Sequence, residues 1–323
     1  MARSLVTATL AAALAFASAA FAQDGYPNRP IRLVVPQSAG SGSDVVARML
    51  SEKLSQDLGQ SVLVDNRAGA NGIIGTAFVA KQPADGYTVL LAGVSQLSFN
   101  QHLYKSLPYD PQKDLTYIAP VIDSPFVLVV SKNSGISTLA SFIDKAKAKP
   151  GAVTFGSAGV GNSTHLAMEM IADKAGVKLT HVAYKGSGPA LTAVIGGEVE
   201  AMVSVVGPAL PQIAAGNVVP VAIVGQKRAH ELPNVPTIKE AGLDVPPMPG
   251  WFALVGPANM DQKIVARLNA SVQKFLTDPQ VKQKLTSLYL EPATGSAAAV
   301  KQRALNDAKV WGEFIKRRGI QTS

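Results

Sequence analysis

Four times along this chain an apolar, strand-like run breaks into a stretch dense in glycine and small hydroxyl residues and then enters a helical pattern. The junctions span residues 36–44, 67–72, 156–164 and 184–189. Each leaves a helix N-terminus whose first backbone N–H groups lack intrahelical partners, and the partial positive charge there favours a carboxylate or phosphate. Two pairs of such junctions facing each other would clamp a small anion.

The runs at residues 31–35, 62–64, 88–92 and 126–130 are short, apolar and bounded by Gly, Pro, Asn or Asp, the pattern of strands buried on both faces. Between the first two, Val45, Val46, Met49, Leu50, Leu54 and Leu58 lay an apolar stripe on a helix capped by Ser43 or Asp44 and stopped by Gly59. A second series follows, with strands at 153–155, 179–182 and 201–206 and helices at 166–175, 190–195 and 208–215. The last segment reads as a strand at 252–255 and helices at 261–277, 279–288 and 298–318. Lys316, Arg317 and Arg318 suit the final helix's C-terminal dipole. Alternation of strands and helices predicts an α/β protein with parallel, doubly wound sheets in two lobes. Crossings between lobes are expected at 121–125 and at 245–250, the latter rich in proline. The expected division is residues 23–123 with 248–323 for one lobe and 124–247 for the other.

Arg3, the apolar run 5–17 and the Ala20-Phe21-Ala22 exit read as a cleaved secretory signal over residues 1–22. Removing it leaves about 300 residues, ample for two lobes. The expected location is therefore outside the cytoplasmic membrane. Cysteine is absent, which removes disulfides, thiolate nucleophiles and Cys-based metal sites. The formal net charge is +8, but Lys and Arg are scattered and aromatics are few, so the charge biases the protein toward anionic solutes and not toward nucleic acid.

Catalysis finds little support. His102, His165, His181 and His230 are dispersed, and neither a G-x-S-x-G elbow nor an H-E-x-x-H motif occurs. Ser271 and Lys274 satisfy S-x-x-K inside an amphipathic helix, and a Ser163/His165 pair lacks a third member. No dinucleotide fingerprint or P-loop is present, so no cofactor is expected.

Six stretches carry a family likeness: Tyr26-Pro27-Asn28-Arg29-Pro30 running into 31–36, Asp65-Asn66-Arg67, Pro83-Ala84-Asp85-Gly86-Tyr87, residues 103–110, Ala183-Tyr184-Lys185-Gly186, and Leu232-Pro233-Asn234-Val235-Pro236-Thr237. In that order they resemble the tripartite tricarboxylate transporter solute receptors, or Bug-type periplasmic binding proteins. The resemblance implies a two-lobed "Venus flytrap" of the type II class, each lobe a sheet flanked by helices, the first completed by the C-terminal segment. It implies a non-enzymatic, monomeric receptor that carries a small organic carboxylate to membrane permease subunits, and it narrows the expected location to the periplasm. Rival readings are a sensory receptor for a membrane kinase and a secreted enzyme on the same scaffold.

By the same resemblance, the carboxylate meets Ser38, Ala39, Gly40, Ser41, Gly42 and Ser43 from the first lobe and Ser157, Gly159, Val160, Asn162, Ser163 and Thr164 from the second. Ser95 and Ser204 complete the candidate ligand set. Lys185, the cation in the fourth junction, either neutralises a second carboxylate or is a surface lysine. Arg67 reads as a fork bonding carbonyls around Gly69, and Trp251 as core. Asp44 suits a cap better than a ligand contact, because its charge repels a carboxylate. Two positions depart from the family pattern, Gln37 where an aromatic is common, and Ser204-Val205 where an Asp-Ser pair is common.

Overall fold

The computed structural model describes residues 25–246, 248 and 250–322. The expected signal segment lies outside them, as do Pro247 and Pro249 of the second crossing. The strands are β1 (Ile31–Val35), β2 (Val62–Asn66), β3 (Thr88–Gly93), β4 (Leu115–Asp123), β5 (Phe126–Ser131), β6 (Thr154–Ser157), β7 (Thr180–Ala183), β8 (Ala201–Val205), β9 (Val218–Ile223), β10 (Trp251–Pro257) and β11 (Glu291–Pro292). They form one sheet in the order β11-β4-β10-β3-β1-β2 and another in the order β7-β6-β8-β5-β9.

The helices are α1 (Gly42–Leu58), α2 (Ile73–Ala80), α3 (Asn100–Leu103), α4 (Leu139–Ala148), α5 (Ser163–Ala175), α6 (Ser187–Gly196), α7 (Val206–Ala214), α8 (Gln262–Thr277), α9 (Pro279–Ser287) and α10 (Ala297–Arg318), with a π-turn over Ser95–Phe99 leading into α3. The α1 stripe behaves as its spacing dictates, with Val46, Leu50, Leu54 and Leu58 buried. These pack in one cluster with Ile31, Leu33 and Val35 of β1 and with the apolar face of α8. Burying each such aliphatic side chain contributes about 1.5–3 kcal/mol, which holds α1, and hence its N-terminus, rigidly on β1.

The sheets are mixed, not wholly parallel. β1 runs parallel to β2 and β3, and β6 parallel to β7 and β8, but β10 is antiparallel to β3 and β4, and β5 to β8 and β9. The strands adjoining the crossings cause this, because a chain that leaves one sheet for the other must enter running away from the shared edge.

Register then fixes where the junctions point. β4 ends at Asp123 and β5 begins at Phe126 in the other sheet, while Trp251 at the start of β10 pairs with Asp123 and Phe252 with Gly93. The β3 carboxyl end, and those of its parallel neighbours β1 and β2, therefore lie on the edge from which the chain crosses. In the second sheet Phe126 pairs with Val205, so the carboxyl end of β8, and with it those of β6 and β7, lies on the crossing edge too. Both sets of carboxyl ends thus face one boundary, where open α/β sheets place their ligands.

The two crossings run side by side. Ser124 N–H donates to Gly250 O at 2.5 Å, and a Cβ on Gly250 would strike Ser124 O and the Phe126 ring. The α10 helix braces this point, with Arg303 paired to Asp123 at 2.6 Å and Trp251 Nε1–H donating to Asp307 at 2.7 Å. Burial pushes the Asp307 carboxyl upward, against the Trp251 hydrogen bond. Trp251 is buried, as its core reading requires. One apolar cluster passes through the boundary, joining Leu90, Trp251 and Trp311 to Leu128, Phe155 and Ile171.

Candidate ligand-binding site

At the end of β1, Ser41 and not Ser43 or Asp44 caps α1. Its backbone is extended and its Oγ accepts from Asp44 N–H at 3.3 Å. The cap lies earlier because Asp44 is buried and fully occupied. Its carboxylate accepts from Gly40 N–H at 2.9 Å, Arg48 Nε at 3.0 Å and Asn66 Nδ2 at 3.0 Å. The Arg48 bond leads in holding its carboxyl below the usual range. Gly40's amide is therefore spent on Asp44. The amides of Gly42 and Ser43, the first two of the helix, have no protein partner among the described residues. Ser38, Ala39, Gly40 and Gly42 are exposed, whereas Ser43 is buried and its Oγ donates to Gln37 Oε1 at 2.5 Å.

The neighbouring junctions support this loop. Asn66 Nδ2 also donates to Gln37 O at 3.1 Å. Arg67 does not fork onto carbonyls near Gly69. Its Nε donates to Asp65 at 2.9 Å and its guanidinium lies 3.6 Å from the Phe78 ring centre, because Asp65 and Phe78 flank it on β2 and α2. Past β3, Gln96 Oε1 accepts from Gly93 N–H and its Nε2 donates to Asn71 O, at 2.9 and 2.8 Å. Ser95 is buried in the π-turn.

In the second half Asn162, and neither Ser163 nor Thr164, caps α5, with Oδ1 accepting from Thr164 N–H at 3.1 Å. Thr164 Oγ1 accepts from Ala158 N–H at 2.9 Å. Ser157 Oγ accepts from Gly159 N–H at 3.1 Å and lies 2.6 Å from His181 Nε2. Gly161 N–H donates to His165 Nδ1 at 3.1 Å. The loop's own side chains thus occupy most of its amides. That of Ser163 keeps no protein partner among the described residues, and Val160 is exposed.

Beneath this loop three rings stack. His165 and His181 lie 3.9 Å apart between centroids, and Phe155 is 4.8 Å from His181. Burial, reinforced by His181, lowers the His165 pKa to about 3, and burial lowers that of His181. Ser157 and Ser204 are wholly buried, with Ser204 Oγ donating to Val205 O at 3.1 Å. These partners, with those of Ser43 and Thr164, tie the four hydroxyls into the loops they belong to. Lys185 is exposed and enters no ion pair among the described residues.

The halves also touch across the boundary. Gly161 (φ +74°) sits so close to the first half that a Cβ would lie 2.8 Å from Leu103 Cδ1 and 3.4 Å from Thr322 Cγ2. Arg317 at the end of α10 bonds Asp173 through both nitrogens at 2.9 and 2.7 Å, and Arg318 bonds Glu169 at 2.8 Å, both acids lying on α5. The basic run that suited a helix dipole thus bridges the two halves. Two surface hollows of about 350 and 480 Å³, one around Thr138 and Pro236 and one around His102 and Gly312, share no residue with these junctions.

A fold of two sheets with converging carboxyl ends is that of the periplasmic binding proteins. The model of the tripartite tricarboxylate transporter family receptor matches residues 46–320. The protein BugT of Bordetella pertussis is 34% identical over 322 residues, covering 99% of both chains. A solved R. palustris protein with adipate superposes with a TM-score of 0.84 at 32% identity, over 92% of this chain and 99% of that one. MatC from Rhodopseudomonas palustris with bound malate gives a TM-score of 0.80 at 28% identity, over 89% and 99%. The chain belongs to the tripartite tricarboxylate transporter receptor family. It is a periplasmic solute-binding receptor of that family.

Proposed function

We propose that the protein captures a small organic carboxylate between two lobes, residues 23–123 with 248–323 and residues 124–247, and delivers it to membrane permease subunits. The observation that carries this reading is the register, which turns the carboxyl ends of six parallel strands toward one boundary. On the first lobe the free amides of Gly42 and Ser43 and the hydroxyl of Ser38 receive the carboxylate. Closure brings Val160 and Ser163 onto it, and Lys185 offers a counter-charge to a second acidic group. Charge-assisted hydrogen bonds contribute about 1.5–3 kcal/mol each, so six at the upper end, about 18 kcal/mol, leave the roughly −8 kcal/mol of micromolar binding after about 10 kcal/mol of ordering and desolvation cost. Backbone dipoles do most of this, which fits the scarcity of cations in the loops. Adipate and malate in the related structures lend the carboxylate class its support.

The test is calorimetric titration with adipate, malate, succinate, citrate and amino acids, followed by mass spectrometry of the recovered solute. Micromolar binding of an acid returned unaltered is the expected result. Chemical change in the solute would favour an enzyme, and binding of none of the acids would overturn the reading.

A further inference from the structure

A directed chain of hydrogen bonds runs across the first junction. Asp44 N–H reaches Ser41 Oγ at 3.3 Å, Ser41 Oγ lies 3.0 Å from Ser43 Oγ, and Ser43 Oγ donates to Gln37 Oε1 at 2.5 Å. The amide at one end can only donate and the carboxamide oxygen at the other can only accept. Each hydroxyl between them has one proton, so both are polarised the same way, from Asp44 toward Gln37. The carboxamide presents its oxygen to Ser43. Its Nε2, with two protons, turns from Ser43 and has no protein partner among the described residues. The Gln37 backbone is anchored by Asn66, and the residue is half-buried two positions beyond the end of β1, on the boundary the two sheets share.

Resting on the carboxylate-receptor reading, we propose that Gln37 is a specificity-determining residue whose Nε2 donates to an oxygen the ligand carries beside its captured carboxylate. The preferred solute class is then an oxygen-substituted acid, such as a hydroxy acid, over the plain hydrocarbon analogue. A closed cleft would strip water from the Gln37 amide, and a methylene placed against it would return nothing. A site built to bond an oxygen therefore rejects the analogue lacking it more strongly than an apolar wall rejects an added hydroxyl.

The test compares Kd values for malate against succinate and citrate against tricarballylate, for the wild type, Gln37→Leu and Ser43→Ala. The wild type is expected to favour each hydroxy acid about tenfold. Gln37→Leu is expected to bring the ratio near one while leaving the hydrocarbon acids within about threefold, and Ser43→Ala, which frees the carboxamide to turn, to give an intermediate ratio. Because the readout is a ratio, general damage to the loop cancels. A ratio unchanged in Gln37→Leu, or no preference in the wild type, overturns this assignment alone. Failure of all four acids to bind the wild type overturns this assignment, and the carboxylate-receptor reading falls with it only if adipate and the amino acids fail to bind as well.

Discussion

Acid should loosen the loop between β6 and α5 through His165. Its Nδ1 accepts the Gly161 amide proton, so the ring is neutral with its proton on Nε2, 3.9 Å from Glu169. A second proton could enter only at Nδ1, which would break that bond and set a charge 3.9 Å from the His181 ring. The facing groups are His181 from β7, Glu169 on α5, itself held by Arg318 from α10, and the uncharged Phe155 from β6. Burial lowers the His165 pKa from 6.5 to about 3. The neutral form is thus favoured on folding, and its contribution is intact above pH 6.5 and declines as pH falls toward 3. At pH 5 the unfolded chain binds a proton that the folded chain refuses. The loss is about one and a half pKa units, or about 2 kcal/mol, relative to pH 7.5. In a thermal melt this amounts to roughly 4–8 °C, and His181 adds to it in the same direction. His165→Gln should melt lower at pH 7.5, by about 1 kcal/mol for the weakened Gly161 bond, yet show a flatter pH slope. A proton NMR titration placing His165 near 6.5, or an unchanged slope in the variant, would refute the reasoning.

Three further outcomes follow from the boundary. Gly42→Val should abolish solute binding while leaving circular dichroism unchanged, because a Cβ there meets nothing within 4 Å and the added bulk projects over the open amides; undiminished affinity would discard the first-junction site. Gly161→Val combines the strain of a left-handed backbone with a clash against Leu103, about 1–2 kcal/mol for the backbone alone, and should weaken solute affinity at least tenfold by titration calorimetry. Arg317→Glu with Arg318→Glu sets like charges against Asp173 and Glu169; small-angle scattering should then show a larger radius of gyration, and adding Asp173→Arg with Glu169→Arg should restore the wild-type value.

Much of the fold was legible because it depends on local pattern. The apolar runs of β1, β3 and β5 and the stripe of α1 declare themselves within a few residues. The small-residue junctions mark strand ends however the sheets are assembled. What escaped is what distance decides. The reversed direction of β5 and β10 follows from where the chain crosses, which Asp123-Ser124-Pro125 hints at but does not orient. The stacking of His165 on His181 joins residues on different elements, and the bridging role of Arg317 and Arg318 depends on acids on α5 that nothing near the C-terminus announces. The candidate site shows the same division more sharply. A run of serines and glycines says that amides and hydroxyls crowd a turn, but each donor can be given once. Asp44 takes Gly40's amide, His165 takes Gly161's, and Thr164 takes Ala158's. Those expenditures rigidify both loops, so the few donors left open at Gly42, Ser43, Ser163 and Gln37 are held in fixed directions. Selectivity is better served by such a preorganised minority than by a fully open loop, because a ligand then bears little of the ordering cost itself.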